Sequence, residues 1–134
     1  MNEVIEFLKQ NPVQYVATIG LDHKPKVRPF QFMFSEDGKL FFCTNNQKDV
    51  YAEMKNNPYI EITTSSPQFA WLRLNGKVTF VDDLRLKQKA IDASNLVESI
   101  YQMPDNPIFE VFYLDEAKAI LADFSGNAPR EYLL

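Results

Sequence analysis

Four side chains near the middle of the chain carry the chemistry to be explained: Arg28, Thr44, Asn45 and Lys48. They flank two apolar, β-prone runs, Val27 to Phe34 and Leu40 to Thr44, joined through Asp37-Gly38. An Asp-Gly pair between such runs is a strong hairpin signal. In an antiparallel hairpin the start of one strand lies beside the end of the next. The spacing therefore predicts a guanidinium, a hydroxyl, an amide and an ammonium gathered at one end of one hairpin, where together they hold an anion such as a phosphate. A helix starting near Lys48 adds the partial positive charge of its N-terminus. The plainer reading is a polar strand end running into a helix, with Lys48 solvated. By strand alternation Arg28 shares a face with Phe30, Phe32 and Phe34, with Gln31 and Met33 opposite. An aromatic face does not hold an unpaired guanidinium, so Arg28 stands in water at a rim or has a partner anion.

Other residues are weaker candidates. Phe69, Trp71 and Arg73 share one strand face, either as a cross-strand cluster or as an aromatic and cationic wall for a planar ring. Cys43 reads as a small core residue and His23 as part of a polar turn. Asp82 and Asp83 read as helix caps rather than an acid/base pair. The sequence has no nucleophile elbow, dinucleotide glycine fingerprint or Walker motif.

These residues need a scaffold. A short amphipathic helix is predicted over Asn2 to Gln10, stopped by Asn11-Pro12. Strands are predicted over Val13 to Ile19, Pro25 to Phe34 (an edge or irregular strand, from its prolines) and Leu40 to Thr44. A helix over Asp49 to Asn56 follows, then strands Tyr59 to Thr64 and Phe69 to Val81, with a bulge or close backbone approach at Asn75-Gly76. A helix from Leu84 to about Ser99, strands Phe109 to Leu114 and Ala119 to Phe124, and an irregular tail complete the chain. Short antiparallel strands with tight turns and inserted helices favour a small closed or partly open barrel.

The totals bound the function. The 134 residues suffice for one domain with a core, predicted over 1–134. A net charge of -4 argues against a nucleic-acid backbone as main partner. One cysteine and one histidine leave no disulfide and no metal cluster, and fit a reducing compartment. Without a leader or long apolar run, a soluble cytoplasmic protein without a membrane partner is expected. Eleven Phe, six Tyr and one Trp are many for a small barrel to cover, which favours a subunit interface or a flat ligand.

The hairpin stretch also resembles a known family. Arg28-Pro29-Phe30, the Asp37-Gly38 turn, Leu40-Phe41-Phe42-Cys43-Thr44-Asn45 and Lys48 are similar to the FMN-binding split-barrel family typified by pyridoxamine 5′-phosphate oxidase. So are Asn57-Pro58 before a strand and Leu74-Asn75-Gly76-Lys77-Val78 within one. The resemblance implies a mainly β fold with short helices, a six-stranded antiparallel Greek-key split barrel, and an intertwined homodimer with FMN at its interface. It implies that Arg28, Pro29, Phe30 and Gln31 run along the flavin, that Thr44 and Lys48 hold its phosphate with Asn45 beside them, and that Cys43 touches the cofactor through its backbone. Trp71 falls where the oxidase has a glutamine near the ring. Phe124-Ser125-Gly126 resembles the oxidase's Trp-Gln-Gly, and Arg130 matches the first arginine of its substrate-binding signature. The chain then reads Glu131-Tyr132-Leu133-Leu134, without the signature's histidine and second arginine. This places it nearer the small nitroimidazole-resistance-type, nitroreductase-like flavoproteins than pyridoxamine 5′-phosphate oxidation. The implied function is an FMN-dependent oxidoreductase moving hydride or electrons to or from a small molecule, with no residue suited to be a general acid or base. A flavin- or haem-binding module without turnover, a deazaflavin protein of the same fold, and an oligonucleotide- or protein-binding barrel are the alternatives.

Overall fold

Period-two alternation builds the sheet. In the computed structural model, which describes residues 1–134, Ile60, Ile62 and Thr64 turn inward while Tyr59, Thr63 and Ser65 are exposed. The elements in order are α1 (Asn2–Gln10), β1 (Gln14–Ile19), β2 (Pro25–Phe30), β3 (Phe34–Glu36), β4 (Lys39–Asn45), α2 (Asp49–Asn56), β5 (Tyr59–Ser65), β6 (Trp71–Val81), α3 (Leu84–Ala93), α4 (Asn95–Tyr101), β7 (Phe109–Ala122) and β8 (Arg130–Leu133).

Every strand pairing is antiparallel, in the order β2-β1-β5-β6-β7-β4-β3, with β8 added to β7. The first and last strands of that order, β2 and β3, are consecutive in the chain, separated only by Gln31, Phe32 and Met33. So short a link holds the two sheet edges close, and the sheet curls into a split barrel. Its core contains Val16, Phe32, Leu40, Phe42, Ile62, Leu74 and Phe112, with Val4 and Leu8 of α1 plugging one side. Buried Gln14 fastens the seam. Its Oε1 accepts from the Phe32 backbone N–H at 2.6 Å, and its Nε2 donates to the carbonyls of Asn11 at 2.7 Å and Leu8 at 3.1 Å.

That seam corrects the predicted hairpin. Pro25 to Phe34 is two strands, because the Phe32 N–H goes to Gln14 and not to a ladder. Only Phe34 to Glu36 pairs across the Asp37-Gly38 turn with β4. Arg28 lies opposite Val16 on β1 and not beside the end of β4 in a ladder. The edge position predicted from Pro25 and Pro29 holds, since β2 pairs on one side only.

Four other boundaries differ, the first being that the strand predicted from Phe69 begins at Trp71, with Phe69 before it at φ 65°. The helix predicted from Leu84 to about Ser99 is two helices: the Asp83 side chain caps α3, and the Ser94 side chain accepts from Val97 N–H to start α4. The last two predicted strands form one bent strand, β7, in which Glu116 has φ 49°. The tail forms β8. The bulge predicted at Asn75-Gly76 is present as a register shift against β7, and a Cβ at Gly76 would stand 3.1 Å from the Asp115 carbonyl oxygen. No helix is long and apolar enough to cross a membrane.

Candidate functional site

Closing the barrel brings β2 against the end of β4 and the start of α2. Two adjoining hollows open there, and Lys48 lines both. The more apolar one, a cleft of about 440 Å³, takes in Pro29, Phe30, Gln31, Cys43 and Thr44. The other takes in Arg28 with Asp49, Val50 and Glu53. Lys48 thus stands between the hollow of Thr44 and the hollow of Arg28, which share no other lining residue, and the barrel seam rather than a hairpin ladder brings their elements together.

Arg28 has the partner anion that its aromatic neighbours demand. Its Nη2 lies 2.6 Å from Glu53 Oε1, and its Nη1 donates to Thr18 Oγ1 at 2.7 Å and the Val16 carbonyl at 3.2 Å. Thr18 in turn donates to Glu53 Oε1 at 2.7 Å. A guanidinium has five N–H groups, so Nε–H and one Nη2–H remain unused on its Nε edge. Two parallel donors of that kind match two oxygens of a phosphate or carboxylate.

Thr44 supplies a direct test of fit. It is 3% exposed, and its Oγ1 is the buried side-chain polar atom left without a hydrogen-bond partner. An unmade hydrogen bond on a buried hydroxyl costs about 1–3 kcal/mol, so such an atom calls for a ligand. Lys48 is exposed, sits at the N-cap of α2 in extended conformation and makes no salt bridge. Asp49 in the first turn of α2 offsets part of the helix's positive end. Cys43 is half-buried; burial pushes its thiol up to about 12, partly countered by the Lys48 charge. It is therefore a neutral wall and not a nucleophile.

The remaining predicted residues fall elsewhere. The Asn45 amide closes its own turn, its Oδ1 accepting from Gln47 N–H at 3.0 Å, while its Nδ2 donates to Tyr101 Oη at 3.3 Å. Asn45 thus ties α4 to β4 and lines neither hollow. Trp71 and Phe124 pack together with ring centres 5.0 Å apart, and Phe124 is 82% exposed. Arg73 is held by Glu61, its Nε 2.9 Å from Oε1. Arg130 and Tyr132 both engage Glu3 of α1. None of Trp71, Phe124 and Arg130 lines either hollow.

Sequence reasoning missed Thr18 and Glu53. A signal existed for both: Thr18 continues the inward positions Gln14 and Val16 of β1, and Glu53 shares the buried face of α2 with Val50 and Met54. A polar residue on an apolar face requires a partner. The helix predicted to about Ser99 included most of α4 but not its role, which is to wall the cleft with Leu96, Val97, Ile100 and Tyr101.

The curled antiparallel sheet, with its two edge strands joined by three residues, puts the chain in the class of small split-barrel β proteins. The chain belongs to the pyridoxamine 5′-phosphate oxidase family, whose model matches residues 1–121. No curated protein matches it in sequence. Among solved structures it is similar to a NimC/NimA family protein from Clostridium acetobutylicum, at 33% identity and TM-score 0.91, covering 100% of this chain and 92% of that one. A pyridoxamine 5′-phosphate oxidase-related, FMN-binding protein from Nostoc punctiforme shares the fold at 18% identity and TM-score 0.72, covering 97% and 87%. A heme-binding protein from Mycobacterium smegmatis does so at 16% identity and TM-score 0.72, covering 93% of this chain and 54% of that one.

Proposed function

We propose that this protein is an FMN-binding homodimeric flavoprotein of the cytoplasm, one domain per chain, acting as an oxidoreductase on a small molecule. The observation that carries the reading is the unpartnered Thr44 hydroxyl beside the unpaired Lys48 ammonium. Thr44, Lys48 and the free Nε edge of Arg28 would hold the phosphate. Pro29, Phe30, Gln31 and Cys43 would wall the ring and keep water from it. When bound, FMN supplies two-electron transfer through its isoalloxazine. The chain's own contribution is grip, orientation and exclusion of water.

Haem is the cofactor of one protein of this fold, and haem needs an axial ligand. The sole histidine, His23, stands exposed in the β1–β2 turn, away from both hollows. Met33, Cys43 and Tyr101 of the cleft are side chains of other iron-ligating types, so it is the Thr44 and Lys48 pair, suited to a phosphate, that favours flavin here. The homodimer is supported by an exposed apolar patch on the outer face of β1, β2 and β5, where Tyr15 is 48%, Val27 67% and Tyr59 59% exposed.

The absorbance spectrum of freshly purified protein tests the cofactor: flavin bands support the reading, and a Soret band in their place overturns it. Lys48→Ala should weaken FMN binding about ten- to a hundredfold while leaving the flavin-free melting temperature unchanged. Equal FMN affinity in variant and parent overturns the phosphate clamp.

A further inference from the structure

The cleft has a second end that the phosphate clamp does not use. Leu96, Val97 and Ile100 of α4 line it with Met33, and its polar feature is the Tyr101 hydroxyl hydrogen-bonded to Asn45. Of the residues lining the whole cleft, Lys48 alone is charged. Cys43 is neutral, and burial raises the Tyr101 phenol as well, against the opposing Asn45 hydrogen bond. The α4 end therefore offers an ionic ligand group no counter-charge. Moving an unpaired charge into such a site is costly. Its walls nonetheless invite cover: Leu96 is 65% and Ile100 56% exposed, although both line a concave surface.

We infer that the α4 end of the cleft binds an uncharged, largely apolar small molecule with one hydrogen-bonding group directed at the Tyr101 hydroxyl, which Asn45 holds in place. This rests on the FMN reading, which assigns Lys48 to the phosphate, and it names the substrate class of the same site. Anionic substrates, phosphorylated vitamers among them, are disfavoured because no second cation faces that end.

Two fluorescent probes of one ring size separate the cases: 2-naphthol, uncharged at neutral pH, and 2-naphthalenesulfonate, an anion. Equilibrium dialysis against FMN-loaded protein should show 2-naphthol binding at least about tenfold more tightly. Ile100→Asp should abolish that preference, lowering 2-naphthol affinity about tenfold, with FMN retention and subunit number unchanged. Equal binding of the two probes overturns the inference while leaving the cofactor reading intact. Loss of FMN from Ile100→Asp overturns it by giving the α4 end to the cofactor, and dissociation of a parent dimer overturns it by giving that end to a subunit contact. Failure of the parent to bind FMN at all removes the cofactor reading and this inference with it.

Discussion

Glu53 Oε1 lies 2.6 Å from Arg28 Nη2, with the two side chains only 7% and 22% exposed. A buried pair contributes little net stability because both ions were dehydrated to form it, but removing one partner is destabilising. Here the carboxylate does two opposing things. It fixes the guanidinium plane with the Thr18 hydroxyl, and it places a negative charge near the proposed phosphate position.

Glu53→Gln separates those effects, since the amide keeps an acceptor for Arg28 and Thr18 but carries no charge. The flavin-free protein should lose about 1–3 kcal/mol, less than for a fully buried pair because Arg28 reaches some solvent. FMN affinity should rise by roughly tenfold, because a like charge has left the anion site. Chemical denaturation and fluorescence titration measure the two quantities. A drop in FMN affinity would show that the Glu53 charge supports the anion site.

Thr44→Val predicts another divergence. Valine has nearly the same shape and no orphaned hydroxyl, so the flavin-free form should gain about 1 kcal/mol. FMN binding should weaken about tenfold through the lost hydrogen bond. Destabilisation of the flavin-free form would mean that the hydroxyl already has a partner in the folded chain.

The inward and outward sides of β5 and β6 were legible because they are half-buried strands with clean alternation, and the Gly76 bulge announced itself by composition. The family motif pointed to Thr44 and Lys48, which line one cleft, and to Arg28, which lines the hollow beside it. What the sequence hid was the break at Gln31–Met33. Phe32 continues the apolar run, and only the distant Gln14 carbonyl takes its N–H out of the ladder. Local pattern therefore extended β2 through a seam that tertiary contact creates. The Arg28–Glu53 pair was hidden for the same reason, since the residues lie on separate elements brought together by β1. Ser94 could have marked the α3–α4 boundary, because serine both tolerates a helix and caps one.

Cys43 gives a pH prediction. Its folded-state thiol, raised from 9.0 to about 12 chiefly by burial, favours the neutral form. That contribution is fully present below the unfolded value and is lost as pH rises from about 9 towards about 12. Melting curves should therefore fall less steeply over that window in Cys43→Ala than in the parent. Iodoacetamide at pH 8 should label the folded thiol far more slowly than the unfolded one. Parallel melting curves and fast labelling would together show a thiol in contact with water.

Val27 tests assembly and cofactor together. It is 67% exposed on the outer face of β2, opposite Ala17 of β1, and one residue before the Arg28 that faces inward. Because adjacent strand residues point to opposite faces, Val27→Glu alters the outer patch. Val27 also borders the hollow that holds Arg28, so FMN affinity is read together with subunit number. Two copies closing over that patch would bury the introduced carboxylate, at a cost large enough to separate them. Light scattering after size exclusion should show a dimer for the parent and a monomer for the variant, with circular dichroism unchanged. FMN affinity should fall with dissociation if the proposed interface carries part of the cofactor site, since Trp71, Phe124 and Arg130 line neither hollow. A variant that remains dimeric would move the interface off this face, and a monomer with parental FMN affinity would confine the whole cofactor site to one chain.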